Sequence, residues 1–290
     1  MENLTLLESI KSKYEDVYKL VFKDSDVLEV SYIRKNDGKD ILCVPVQTSC
    51  SLGCKFCHLT GLSVPTKNLS SERILNLVSH SLEFQKPGND TLLISYMGAG
   101  DSLMSVEDVI KSAVDLKTSS KYKYIQDSYK TIRFGVSTIL PGYSRFERFK
   151  KAVIEHKLPI KLHWSLHSLN SIERKSLMPN ASPIMQSLNM INEYVDDTGN
   201  PAEIHYTLMH EINDRQEDLD KFAKLPSRKA TIKLLKFAEK ESEPTLLGSK
   251  RTDWFRNELE NQGYSVEVYS PPGSDIGSSC GQFLLDQYTK

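Results

Sequence analysis

The chain has 290 residues, with 37 Lys and Arg against 38 Asp and Glu and a formal net charge of -1. That balance excludes a polycation that holds nucleic acid by bulk charge and leaves only local basic patches. At 39% hydrophobic and 26% charged residues the composition is that of a globular protein with a full core, not of a disordered chain.

No apolar run approaches the roughly 18 residues that cross a bilayer, and the opening Met1-Glu2-Asn3-Leu4-Thr5 lacks a basic-then-apolar leader. A cytoplasmic protein without a membrane partner is expected. In chain order, Leu6, Leu7 and Ile10 suggest a short helix within residues 1–25. Candidate strands follow at Val27 to Arg34, Ile41 to Gln47, Thr91 to Tyr96, Thr131 to Ser137, Ile160 to Leu166, Ala202 to Leu208, Ala230 to Phe237 and Tyr264 to Tyr269. Helical patterns lie between them. Ile74, Leu75, Val78 and Leu82 share one face of Ser71 to Gln85, and Leu219, Phe222 and Ala223 share one face of Asp214 to Leu225. A helix from Ser249 to Gln262 stops at Gly263.

Strand then helix, repeated about six times, specifies right-handed crossovers and a parallel sheet. The expected fold is α/β, a full or partial TIM-type barrel over residues 26–269, with a helical extension at 1–25 and a C-terminal segment at 270–290. Chemistry in such barrels sits in the loops after the strands' C-terminal ends, here near Ser49, Gly98, Thr138, His167 and Lys236.

After the second candidate strand comes Cys50-x3-Cys54-x2-Cys57, with Phe56 before the third cysteine and His58 after it. Three thiolates can clasp a soft metal centre but give one ligand fewer than a closed tetrahedral site. A [4Fe-4S] cluster held by three cysteines leaves one iron open to chelate a small molecule. The competing reading is a structural zinc completed by His58 or Cys43. Alone, Cys43 on its strand reads as a small buried hydrophobe, and Cys280 in Ser279-Cys280-Gly281-Gln282 as an incidental surface thiol.

The triple-cysteine loop has the spacing of the radical SAM superfamily. Together with Leu42-Cys43-Val44, Met97-Gly98-Ala99-Gly100, Ser137-Thr138, Ser165-Leu166-His167, Met178-Pro179 and Ser279-Cys280-Gly281-Gln282, it resembles the RlmN/Cfr family of radical SAM RNA adenosine methyltransferases. The matching blocks run from about Glu29 to Phe283. The resemblance implies a radical SAM barrel with two cofactors, a [4Fe-4S] cluster on Cys50, Cys54 and Cys57 and S-adenosylmethionine. It also implies methylation of adenine in RNA (23S rRNA or tRNA), at C2 rather than C8, through an S-methylcysteine at Cys280 that Cys43 resolves as a disulfide. Glu29 would take the ring proton. Gly98, Gly100, Asp101, Ser137, Ser165, Leu166 and His167 would hold the S-adenosylmethionine. Further implied partners are an external electron donor such as flavodoxin and a thiol reductant.

The chain departs from the family where Asp101-Ser102 replaces Glu-Pro and Ala238-Glu239 replaces Asn-Pro, and its N-terminus is shorter than the family's usual helical RNA-contacting module. Two readings compete with the first: the same mechanism on a nucleotide, small molecule or protein, and a non-catalytic, metal-stabilised RNA-binding protein. For RNA contact, Lys117, Lys121, Lys123, Lys130 and Arg133 interleave with Tyr122, Tyr124 and Tyr129, a pattern that tracks phosphates and stacks bases, or is a solvated charged face.

Overall fold

Ten strands in a computed structural model, which describes residues 4–226, 229–239, 243–278 and 282, form one sheet. They are β1 (Thr5–Lys11), β2 (Val17–Lys23), β3 (Val27–Lys35), β4 (Lys39–Cys43), β5 (Thr91–Tyr96), β6 (Thr131–Thr138), β7 (Ile160–Ser165), β8 (Ala202–Leu208), β9 (Thr231–Lys236) and β10 (Val266–Tyr269). They neighbour one another in sequence order. The helices are α1 (Ser71–Phe84), α2 (Val106–Thr118), α3 (Lys123–Ser128), α4 (Tyr143–Glu155), α5 (Ser171–Leu177), α6 (Ile184–Thr198), α7 (Gln216–Ala223) and α8 (Thr252–Asn261).

From β4 to β10 every pairing is parallel, and helices fill each crossover. Alternation along the strands separates two faces. Ile94 and Tyr96, Phe134 and Val136, Leu162 and Trp164, Ile204 and Tyr206, Ile232 and Leu234 are buried in one core with the apolar stripes of the helices. The intervening residues, among them Ser95, Gly135, Ser137, His163, Ser165, Glu203, His205, Thr207 and Lys233, form a polar inner face. Among the described residues no hydrogen-bonded ladder joins β10 to β1. Across that gap the Lys35 ammonium on β3 lies 4.8 Å from the Tyr269 ring on β10. This is the expected α/β barrel of the TIM type, in its partial form.

The expected N-terminal helix is absent from Leu4 onward. Thr5–Lys11 and Val17–Lys23 are instead an antiparallel hairpin at the edge of the same sheet. The pairing register shifts between Leu6 and Glu8, which leaves Leu7 as an extra residue. That bulge breaks the period of two and makes Leu6, Leu7 and Ile10 mimic helical spacing. Strand β4 is also shorter than expected. Pro45 has no N–H to continue the ladder, although the Val46 N–H still reaches the Ala99 carbonyl at 2.9 Å.

Candidate active site

The loop after β4 carries the three cysteines over the mouth of the barrel. It is braced from α5: the Lys55 N–H donates to the Leu177 carbonyl at 2.9 Å, and Asn180 Nδ2 donates to the Leu52 carbonyl at 3.0 Å. Met178, fully buried beneath the loop, packs with Leu52, Cys50, Cys54 and Phe56. The Met178-Pro179 block is therefore the support of the cysteine loop.

Cys50, Cys54 and Cys57 line a cleft enclosing about 1130 Å³, part of it open to solvent. Gly98, Gly100, Asp101, Ser137, Ser165 and His167 line it too, so six of the seven expected cofactor contacts surround one space. Leu166 is the exception. Its side chain is wholly buried in the core behind the sheet, because it alternates with Ser165 and His167 on the strand's end.

Burial pushes the Cys50 thiol up to about 12 and raises that of Cys54 further, with the neighbouring cysteines adding to both. Cys50 and Cys54, crowded in an apolar wall, resist ionisation unless a cation takes them up as thiolates. This donor set fits an iron–sulfur cluster. His58 is buried but does not line the cleft, and neither does Cys43, so neither alternative fourth zinc ligand faces this space.

The glycines have a packing cause. A Cβ on Gly98 would sit 2.7 Å from the Pro45 nitrogen and 2.8 Å from the Val44 carbonyl carbon. Gly100 has φ +102°, and a Cβ there would meet the Gln47 side chain at 2.7 Å. Both let the loop after β5 press against the end of β4.

Asp101 lines the cleft, but its carboxylate is already occupied. Thr138 Oγ1 and the Leu103 N–H donate to Oδ1, each at 2.9 Å, and the Ile139 N–H donates to Oδ2 at 2.9 Å. Asp101 thus ties the loops after β5 and β6 together while capping the turn Ser102–Met104. Burial lifts its carboxyl to about 6 despite these donors.

His167 adopts φ +52°. Its Nδ1 accepts the Thr207 N–H at 3.0 Å, which assigns the ring proton to Nε2. Desolvation pulls its pKa down to about 3, so the imidazole is neutral, and it meets the Phe56 ring edge-on at 4.7 Å.

Lys236, at a strand end the barrel rule singles out, lines the cleft as well. Sequence reasoning missed His205, Thr207 and Pro271, which also line it; the first two lie near the end of β8, so the same rule could have found them. It also missed Arg174, whose buried guanidinium on α5 donates to the Leu166 and Ser182 carbonyls at 3.1 and 2.5 Å.

Cys43 stands beside the cleft. It packs on one side with the group of Leu59, Ala99, Cys50 and Cys57, and on the other with Val17, Ile33, Ile41 and Ile276. Ser31 on β3 is its cross-strand neighbour. Glu29, two residues from Ser31, is buried in the sheet 3.7 Å from the Lys19 ammonium and does not line the cleft. Cys280 lies outside the described residues.

Of the three tyrosines in the Lys117 to Arg133 patch only Tyr124 is exposed, which leaves one ring for base stacking. Tyr122 and Tyr129 are buried, Tyr129 donating to Asp40 at 3.0 Å. Lys121, Lys123 and Lys130 pair with Glu72, Asp127 and Asp90. The segment also leads into the start of β6, at the end of the barrel opposite the cleft.

Over 291 residues the chain is 30% identical to a probable dual-specificity RNA methyltransferase RlmN of Clostridium botulinum (strain Alaska E43 / Type E3), covering 98% of this chain and 79% of that protein. The chain belongs to the RlmN family. The RlmN of Thermotoga neapolitana, also described as a probable dual-specificity RNA methyltransferase, is 29% identical over 97% of the chain and 80% of its own length. No protein-family model matches the chain. Among solved structures, a radical SAM methyltransferase from Sphaerobacter thermophilus superposes with TM-score 0.82 at 22% identity, over 97% of this chain and 81% of the other. Streptococcus suis SuiB bound to S-adenosylmethionine shares the barrel more distantly, with TM-score 0.53, 14% identity and 79% and 51% coverage. As an RlmN-family member the chain is a radical SAM enzyme that methylates RNA, which sets aside the small-molecule and non-catalytic readings. Among the described residues no helix is long and apolar enough to cross a membrane.

Proposed function

We propose that this RlmN-family enzyme methylates C2 of an adenine in 23S rRNA or tRNA through a methylated Cys280. The single observation that carries the reading is at the tail. Ser278 is buried, and Ser31 Oγ donates to its carbonyl at 3.1 Å, so the chain two residues before Cys280 is fastened to the cross-strand neighbour of Cys43.

Adenine C2 is an electron-poor amidine carbon. It cannot displace a methyl group from a sulfonium, but a carbon radical can add to it. Two thiols outside the cluster loop answer that need.

Cys50, Cys54 and Cys57 would hold a [4Fe-4S] cluster, and the cleft walls at Gly98, Gly100, Ser137, Ser165 and His167 would hold S-adenosylmethionine. When bound, these cofactors supply a one-electron cleavage that yields a 5′-deoxyadenosyl radical. Cys280, as thiolate, would accept a methyl group by displacement, the demethylated thioether leaving. That methyl would give up one hydrogen atom to the radical and, as a methylene, bond to the ring carbon, the adduct then losing one electron as its ring proton departs. Glu29 is the base assigned to the ring proton; since its carboxylate is buried beside Lys19 and off the cleft wall, a group between them must relay that proton. Cys43 then attacks the Cys280 sulfur, forming a disulfide and releasing the methylated base. A thiol reductant restores both sulfurs, and a donor of the flavodoxin type supplies the electron. Asp101 acts as the brace of two cofactor loops, the role its three donors support.

Cys43→Ala removes the resolving thiol. Expressed with cellular RNA, it should purify with a nucleotide covalently attached to the Cys280 peptide by mass spectrometry after nuclease digestion, and sequencing the attached RNA identifies the site. A Cys280 peptide that is unmodified in this variant sinks the reading.

A further inference from the structure

The turn between β1 and β2 grips the segment that follows β10, across more than 250 residues of sequence. Ser12 Oγ donates to Asp275 Oδ1 at 2.8 Å, and the Lys13 N–H donates to Asp275 Oδ2 at 2.9 Å. In return the Gly273 N–H donates to Glu15 Oε2 at 2.7 Å. The gripped segment is itself folded. Gly273 sits at φ +80°, where a Cβ would press to 3.0 Å from Val17, and its carbonyl accepts the Ser278 N–H at 2.9 Å. Ile276 packs with the group that includes Cys43, and Ser278 is bonded to Ser31.

We propose that the Ser12–Glu15 turn is a clamp, with Ser12 and Asp275 as positioning residues that fix where the Cys280 tether starts and so set how often its sulfur meets Cys43. The inference rests on the reading of Cys43 and Cys280 as exchange partners.

From Ser278 to Cys280 is two residues, a reach of at most about 7 Å. That span is of the order of the Cα separation of roughly 4.4–6.8 Å that a disulfide needs. The Ser31–Ser278 bond, the Glu15–Gly273 bond and the packing of Ile276 hold the same segment, so losing the Ser12–Asp275 bonds loosens the tether's start without freeing it. Release all the way back to Tyr269, eleven residues from Cys280, would lower the effective concentration about tenfold by the −3/2 power of tether length, and loosening lowers it by less.

The experiment uses the reconstituted holoprotein, held anaerobically in glutathione buffers of graded ratio. Oxidised glutathione takes two electrons from the two thiols, forming the Cys43–Cys280 disulfide and two molecules of glutathione. Differential alkylation and mass spectrometry read the fraction oxidised. Asp275→Ala should shift the midpoint about threefold toward the dithiol, short of the tenfold of full release. Asp275→Asn, which still accepts from Ser12, should fall between it and wild type. Ser12→Ala, the milder change should Asp275→Ala fail to fold, should shift it by about twofold. Midpoints that coincide with wild type in all folded variants overturn the clamp and leave the thiol pair intact. Absence of the disulfide in wild type at every ratio overturns the thiol-pair reading and the clamp with it.

Discussion

At the scale of single residues, chemistry-bearing side chains were easier to read than the glycines that seat them. The three cysteines of the loop after β4, Ser137, Ser165 and His167 are legible because strand ends in a barrel converge on one mouth, and the cleft unites them. The reason for Gly98 is not legible, since it lies in the Val44–Pro45 backbone more than fifty positions earlier. Asp101 shows the same limit: its helix cap is local and readable, while its bonds to Thr138 and Ile139 depend on two loops meeting. Because backbone cannot retreat as a flexible side chain can, Gly98→Ala should destabilise by about 1–3 kcal/mol, the range for forced overpacking. Urea midpoints measure this. A loss below 0.5 kcal/mol would mean that the β5 loop does not press on Val44 as described.

Among elements, strands β5 and β8 match their expected bounds and most others lie within two or three residues, because β-branched and aromatic runs between helical patterns leave few alternatives. The hairpin β1–β2 was misread since a single bulged residue, Leu7, converts alternation into helical spacing. The tyrosine-lysine stretch through α3 failed for another reason. Sequence shows that basic and aromatic residues interleave but not that Tyr122 and Tyr129 turn inward while the lysines meet carboxylates from α1, α3 and the loop before β5. With Tyr122 and Tyr129 buried, and Lys121 and Lys123 paired on the end away from the cleft, Lys121→Glu with Lys123→Glu should leave RNA affinity and its salt slope within about twofold of wild type. A filter-binding titration in graded salt decides it, since each lost phosphate contact would lower the slope by about one. A slope reduced by two would restore the patch as an RNA surface.

For the whole molecule, the least legible feature is what fills the barrel below the cleft. Sequence marks Lys161, His163, Glu203, His205 and Lys233 only as scattered polar residues on strands, whereas the parallel register gathers them. His205 Nε2 lies 3.1 Å from Glu203 Oε1, Lys233 Nζ lies 2.9 Å from the same oxygen, and Lys161 pairs with Glu203 Oε2. Although burial alone would raise the Glu203 carboxyl, hydrogen bonds from His163 and His205 hold it well below the usual carboxylate range. Desolvation in turn pulls His163 down to about 3 and lowers His205, so the His163 ring is neutral in the folded barrel, as is His167. The sign of the pH dependence follows. A histidine whose folded pKa is depressed contributes stability that is present above its unfolded value near 6.5 and is lost as pH falls below it, because only the unfolded chain then takes up the proton. Between pH 6.5 and 5 His163 and His167 together cost roughly 3 kcal/mol, and the lowered His205 acts in the same direction. Asp101, raised to about 6, binds its proton more readily in the folded state and returns about 1 kcal/mol over the same window. The unfolding free energy should therefore drop by at least roughly 2 kcal/mol from pH 6.5 to 5, well before most carboxylates titrate, and His163→Gln should flatten the slope by about one proton. Urea unfolding at pH 7.5, 6.5 and 5 gives the comparison. Stability that holds constant to pH 5 would show that these imidazoles are solvated or already charged, and that the interior is not the neutral, desolvated network the distances describe.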